Sequence, residues 1–404
     1  MRRWALLLLL AATACSVQAI ADSESVATTG NPPIATSTTT PPTTVAPAPA
    51  VASTTTTTTP PPWEPLVSWM PDGLPPDFGE IVRSVPGVIN VTVIGTGTFH
   101  IVSSETSDGV AVDQPSDGFV IPVGGIVVDP ASYRAFVDDA TATVIASLAS
   151  GELILSESSA ALRRLGPGDR VAFEGGEVRS IAAVLPDAAV GAAEIIGVGD
   201  TSLAVPGSER GYALIDFDGT GEELEREILA RLPQDALLRV RDPRDTSGNP
   251  GRSVRSQIFI KQEFGEFAYR PAGRGRFEID PAWLEANIID VEIPLLGKTV
   301  CHRKFAALLT EVMKDLDDHG LEGVIDPRAY RGCWNSRYIS GSTRLSRHAW
   351  GAAADINFGN DLDGGPGSPV NEELLERMLA VGIRSGHLWT RPDPGHFEYY
   401  GPGA

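Results

Sequence analysis

Apolar and polar positions divide the chain into stretches of different texture. Residues 22–62 carry almost no pattern: a run such as TSTTTPPTTVAPAPAVASTTTTTTPPP has few large apolar side chains and cannot bury a core. Its prolines favour an extended form, so a disordered Thr/Pro stalk is expected there. From Trp63 the pattern is that of a folded chain. The β-branched runs Val88–Ile94 and Thr98–Val102, separated by Gly-Thr-Gly, predict a hairpin. Phe119–Val128 predicts another strand-like region, broken by Pro122 and a Gly-Gly pair. Tyr133, Phe136, Val137, Ala140, Val144 and Leu148 recur at broadly helical spacing and predict a helix over Ala131–Ala149. Leu165 to Val178 reads as turn, strand, turn, strand; Glu222–Arg231 reads as a helix and Ser256–Lys261 as a strand. No internal repeat and no catalytic constellation emerges in this region. The segment GTGTFH lacks the strand–turn–helix setting of a nucleotide-binding loop, and His100 reads as structural. Residues 63–275 are therefore expected to form a mixed α/β region of unknown fold, acting as a spacer or a binding module.

From about Arg276 the texture changes again. Phe305, Leu308, Leu309, Val312, Met313 and Leu316 fall at helical spacing, with Gly320 as the stop. A second helix is expected over 369–381, with Ser368 as N-cap, Pro369 at the first helical position and Gly382 beyond its end. Strand-like pieces lie around Gly323–Ile325, Ala353–Phe358 and His396–Tyr400. Residues 276–404 thus predict an α+β domain with a small antiparallel sheet and flanking helices.

Charge narrows the function classes. The chain has 404 residues, 42% of them hydrophobic, and a formal net charge of −20. With no Lys/Arg-rich run in its mature part, it should repel phosphate backbones, which argues against nucleic-acid binding and simple adhesion to anionic surfaces. Residues 1–21 read as an export signal: Arg2 and Arg3 precede the apolar run Trp4–Ala12, too short for a membrane-spanning helix of ~20 residues. Ala12-Thr13-Ala14 before Cys15 resembles a bacterial lipoprotein signal, which would make Cys15 a lipidated first residue and the chain's link to a membrane. Plain cleavage after Ala14 or Ala19 is the alternative. The other cysteines, Cys301 and Cys333, both fall in the C-terminal region, as a disulfide in an oxidising compartment or as two separate buried thiols.

The candidate chemistry lies in SRHAWGAAADIN, residues 346–357. Catalytic zinc takes three protein ligands of nitrogen, sulfur or carboxylate type and keeps one position open. His348 and Asp355 could supply two, and His396 in RPDPGHFEYYG a third, with Asp393 as a spare carboxylate. Gly351 and Ala352–Ala354 between the first two ligands would allow close backbone approach. Ser346-x-His348-x-x-Gly351-x-Ala353-x-Asp355, followed by Asp393-x-x-His396 and an intervening Trp389, resembles the signature of the VanY-type zinc D-alanyl-D-alanine carboxypeptidases and related L-alanyl-D-glutamate peptidases. The resemblance covers roughly residues 276–402. It implies one Zn²⁺ held by His348, Asp355 and His396, with Asp393 as the base that activates the attacking water. It also implies an arginine upstream of the first ligand that stabilises the oxyanion, Arg337 as first choice and Arg331 as second. Glu398, two positions past His396, competes with Asp393 as base or supports His396 from behind. His387 reads as surface or substrate-lining, and His302 and His319 as structural. Asn360–Gly367 reads as a solvated turn rather than a calcium loop. The activity implied is hydrolysis of amide bonds beside D-amino acids in peptidoglycan stem peptides, on the outer face of a bacterial membrane; the alternative is an inactive wall-binding protein on the same fold.

Overall fold

The computed structural model describes residues 65–402 apart from 117, 192, 199–208, 243–255, 341, 343, 360–370 and 390–391. The signal segment, Cys15, the Thr/Pro stretch, Ser368, Pro369 and Asn360–Gly367 lie outside the described residues. The N-terminal part contains the strands β1 (Leu66–Trp69), β2 (Val88–Glu105), β3 (Ala111–Asp113), β4 (Ile121–Val128), β5 (Glu152–Ser156), β6 (Arg170–Phe173), β7 (Val178–Leu185), β8 (Ile195–Val198), β9 (Glu209–Phe217) and β10 (Arg239–Arg241). They form one sheet in the order β10-β1-β9-β2-β4-β8-β5-β7-β6, and β6 pairs back onto β2. The strands from β2 round to β6 therefore close into a barrel, while β9, β1 and β10 extend the sheet from the first half of β2. Phe99, Ile101, Val123, Leu153, Leu155, Val171 and Ile195 pack together in one buried cluster.

The expected hairpin at Gly-Thr-Gly is instead a single 18-residue strand, β2. Neither Gly95 nor Gly97 takes a positive φ, which a tight two-residue hairpin turn would require. A register shift against β9 between Ile94 and Gly95 marks where β2 passes from the open sheet to the barrel. Across from it, Gly125 is needed because a Cβ there would lie 2.2 Å from the Phe99 ring. The helix expected over Ala131–Ala149 is split. Asp129 caps Pro130–Tyr133, a 3₁₀ turn follows, Val137 is extended, and Asp138 caps a new helix, Asp139–Ala146. The two aspartate caps outweigh the continuous apolar spacing. The helix expected at Glu222–Arg231 forms as Gly221–Leu229, started by a Thr220/Glu223 capping box.

The C-terminal α+β region holds the hairpins β11 (Tyr269–Gly273)–β12 (Arg276–Ile279) and β13 (Ile288–Ile293)–β14 (Gly297–His302). A three-stranded antiparallel sheet follows, β15 (Ala353–Asp355), β16 (Ile383–Gly386) and β17 (Asp393–Tyr399), in the order β15-β17-β16. Helix Arg303–Asp318 buries Phe305, Leu309, Val312, Met313 and Leu316, matching the apolar spacing. Each such side chain contributes roughly 1.5–3 kcal/mol of burial. Helix Glu372–Ala380 is capped by Asn371, whose side chain accepts from Leu374 N. Gly323–Ile325, read as strand-like, contains a 3₁₀ turn, Glu322–Val324. Ser256–Lys261, also read as a strand, belongs to helix Gln257–Phe264: Ser256 Oγ accepts from Phe259 N, and Ile260 and Phe264 face the core around β12 and helix Arg303–Asp318. A β-bridge between Val120 and Tyr269 joins the barrel to β11.

Candidate metal centre

Residues 346–355 fold as a tight turn that feeds directly into a strand. Ser346 accepts from the His348 amide and starts the 3₁₀ turn Arg347–Trp350. Gly351 ends the turn at φ 63°, and a Cβ there would lie 2.6 Å from the backbone nitrogen of His302. Only glycine meets both the left-handed backbone and that approach. Ala352, Ala353 and Ala354 are fully buried, so their small size admits the neighbouring backbone. β15 then pairs with β17 in a register that places Asp355 directly across from His396.

The structure brings the three expected ligands together. His348 Nε2 lies 3.1 Å from Asp355 Oδ1 and 3.3 Å from His396 Nδ1, and His396 Nδ1 lies 3.0 Å from Asp355 Oδ1. Two ligands about 2.0–2.1 Å from a tetrahedral zinc stand about 3.3 Å apart, so these spacings suit the edges of one tetrahedral face. The donor set, two imidazoles and a carboxylate, is of the kind catalytic zinc takes.

Each histidine is oriented from behind. His348 Nδ1 donates to the Cys333 carbonyl at 2.7 Å, which leaves Nε2 as the free lone pair. Cys333 is bonded to Cys301, with their Cα atoms 5.2 Å apart, so the acceptor is tethered to β14. His396 Nε2 lies 3.2 Å from Glu398 Oε2, and its Nδ1 faces the other ligands. Glu398 is buried, two residues along β17 and on the same face. Such partners behind a ligand fix ring orientation and raise ligand basicity. Burial works against the Glu398 carboxylate, yet the His396 hydrogen bond and the Arg347 charge hold it below its ordinary range. Burial likewise opposes charge on His396 and Asp355. Hydrogen bonds donated to Asp355 and Glu398 nevertheless raise His396 to about 9, and the two imidazoles hold Asp355 well below the carboxylate range. The pocket is thus built to hold positive charge.

Asp393 begins β17, half-buried, and burial pushes its carboxyl above the ordinary value against the pull of His396 and of Arg337. The two candidate arginines separate clearly. Arg337 is half-buried and its charge reaches Asp393. Arg331 is exposed and donates to the Arg328 carbonyl at 3.3 Å; its part in the centre is a backbone hydrogen bond to Asp355 O. The Trp389 ring lies 5.2 Å from that of His396. His387 is half-buried beside it and held below its usual pKa by burial. His302 caps helix Arg303–Asp318, and His319 is exposed at that helix's far end. The Cys333 carbonyl went unread in the sequence because a backbone acceptor leaves no residue-type signal. Arg347 had one, a cation directly beside the first expected ligand, His348.

Comparison with known proteins agrees with this centre and says little beyond it. A family model described as D-alanyl-D-alanine carboxypeptidase matches residues 340–399. No curated protein matches the chain. Among solved structures, the extracellular domain of the noncanonic ABC-type transporter YknZ from Gram-positive bacteria aligns at TM-score 0.29 and 13% identity, over 44% of this chain and 99% of that one. The periplasmic region of MacB from Actinobacillus actinomycetemcomitans aligns at TM-score 0.31 and 12% identity, over 45% of this chain and 89% of that one. Among the described residues no helix is long and apolar enough to cross a membrane. The family match and the His348/Asp355/His396 ligand set together support a zinc-dependent peptidase of the D-alanyl-D-alanine carboxypeptidase family in the C-terminal region.

Proposed function

We propose that the chain is an exported, VanY-type zinc peptidase that hydrolyses amide bonds beside D-amino acids in peptidoglycan stem peptides. The observation that carries the reading is a three-ligand centre flanked by a half-buried carboxyl, Asp393, and by a cation, Arg337. Zinc held by His348, Asp355 and His396 would supply Lewis acidity and lower the pKa of a water to about 7. Asp393 takes the proton of the attacking water and passes it to the leaving amine, and its burial-raised pKa brings it closer to that task. Arg337 meets the negative charge that develops on the carbonyl oxygen. Glu398, bound to the far nitrogen of His396, orients that ligand and leaves the base's role to Asp393. The Arg2-Arg3 start, the short apolar run and Cys15 support export and a lipid anchor, which would put the centre where stem peptides are found.

The test is mass spectrometry of products from a defined muropeptide, with zinc content measured in parallel. Cleavage is expected with one zinc per chain and loss of activity under chelation. Asp393→Asn is expected to keep the metal and lose about 10²–10⁴-fold in kcat. A zinc-loaded protein that binds muropeptides without cutting them would instead make it a wall-binding module. Unchanged cleavage in Asp393→Asn would move the base elsewhere.

A further inference from the structure

A chain of side-chain contacts runs from the barrel into the C-terminal region and ends at Tyr338, the residue after Arg337. His100, on β2, has Nδ1 2.7 Å from Glu174 Oε2 and Nε2 2.8 Å from the Tyr269 hydroxyl. Tyr269 is fully buried on β11. A carboxylate can only accept, so Nδ1 carries the proton and Nε2 accepts from the Tyr269 O–H. Ring packing carries the contact onward: the Tyr338 ring lies 6.1 Å from that of Tyr269 and 5.0 Å from that of Phe277.

Backbone contacts follow the same route. Val120 and Tyr269 exchange both hydrogen bonds at 2.8 Å, which ties β11 to the entrance of β4. The β11–β12 hairpin then grips the segment that carries Arg337: Tyr338 N donates to Gly275 O at 3.1 Å, and Phe277 N to Ser336 O at 3.4 Å. On its other side the segment is held by the ligand turn, through Asn335 N to His348 O and Ser346 N to Arg337 O.

Buried ion pairs link the two regions. Arg163 forks onto Glu266 at 2.6 and 2.7 Å and reaches Glu194 at 3.1 Å. Lys261 reaches Glu194 and Glu266, each at 2.7 Å. Arg163 and Glu194 come from the barrel; Lys261 and Glu266 come from helix Gln257–Phe264 and the residues after it. The four charges cancel, and Arg163, Glu194 and Lys261 are buried.

We propose that the barrel is a positioning element for the peptidase centre, and that His100, through Tyr269 and Tyr338, sets where Arg337 stands. This rests on the role given to Arg337 above. His100 and Tyr338 are positioning residues that touch no substrate.

The full-length variant His100→Phe keeps a ring and removes both hydrogen bonds. It is expected to lower kcat about tenfold, a loss in keeping with a small misplacement of a charge-stabilising group, with KM within twofold and zinc content unchanged. His100→Gln, which keeps an acceptor for Tyr269, should recover most of it. In an Arg337→Ala background, His100→Phe should have no further effect. Amide hydrogen exchange at 336–338 should quicken in His100→Phe while that of β15 and β17 stays as in the wild type. Tyr338→Leu, which removes the ring contacts with Tyr269 and Phe277, carries the same measurements if His100→Phe fails to fold. An equal loss of kcat with and without Arg337, or unchanged exchange at 336–338, overturns the inference. If the wild type cleaves no muropeptide, the proposed function falls, and the exchange measurement alone decides the positioning.

Discussion

Glu398 reaches the metal centre through its hydrogen bond with His396. Its carboxylate holds the imidazole nitrogen that faces away from the other ligands. Glu398→Gln keeps the shape and an oxygen acceptor but removes the charge that makes His396 a stronger donor. Zinc affinity is expected to fall about 10- to 100-fold, measured by competition with a chelator of known strength, with little change in fold. Asp393→Asn should behave oppositely, sparing affinity and losing turnover, so the two carboxylates are told apart by two readouts. The ligand trio itself was legible from sequence. His348 and Asp355 lie on one short turn and strand, so their spacing carries the geometry with it. His396 is far in sequence but pairs directly with Asp355, and its own motif marked it. The choice between Arg337 and Arg331 was not legible, since both precede the turn and only the folded path leaves one half-buried and the other exposed.

At the scale of elements, helix Arg303–Asp318 begins on a histidine. His302 Nδ1 accepts from Lys304 N and Nε2 donates to the Phe264 carbonyl, an arrangement that needs the neutral ring. Burial holds its pKa down to about 4. An unfolded histidine titrates near 6.5, so below that pH the unfolded chain takes up a proton that His302 refuses. Stability therefore falls as pH drops from about 6.5 toward 4 and this contribution levels off below. Urea midpoints across that range should show the slope, and His302→Asn, which retains a capping oxygen, should reduce it; identical slopes would assign the dependence to other groups. The long amphipathic helix was legible because its apolar face repeats over four turns. Helix Gln257–Phe264 was not: a short run of isoleucine and phenylalanine fits a strand as well, and the Ser256 cap decides it. The Gly-Thr-Gly of β2 misled for a related reason. Glycine permits a turn, but pairing along both halves of β2 holds it extended.

Across the whole molecule, closure of the barrel depends on β2 meeting β6, a pairing some seventy residues apart that no local pattern announces. The same holds for the buried charges between barrel and C-terminal region, which are dispersed in sequence over Arg163, Glu194, Lys261 and Glu266. Removing one partner from such a set strands another charge without compensation. Lys261→Met is expected to cost about 3–5 kcal/mol in urea denaturation, more than its packing alone would account for. A loss below about 1 kcal/mol would mean that water reaches the cluster. Unfolding should be a single transition by both far-UV and tryptophan signals, because the cluster couples the two regions.

The Cys301–Cys333 bond predicts a maturation order. It closes the loop that carries the backbone acceptor of His348, so the first ligand is aimed by a tether that forms only under oxidising conditions. While its thiols are reduced, the newly made chain would hold the three ligand side chains without their alignment, and would compete poorly for metal. Protein refolded with a dithiol present is expected to bind zinc about tenfold more weakly than the oxidised form, as a disturbed ligand partner does. Equal affinity would mean that cross-linking and metal acquisition are independent events; the expected difference would make activation a matter of when the chain leaves a reducing compartment.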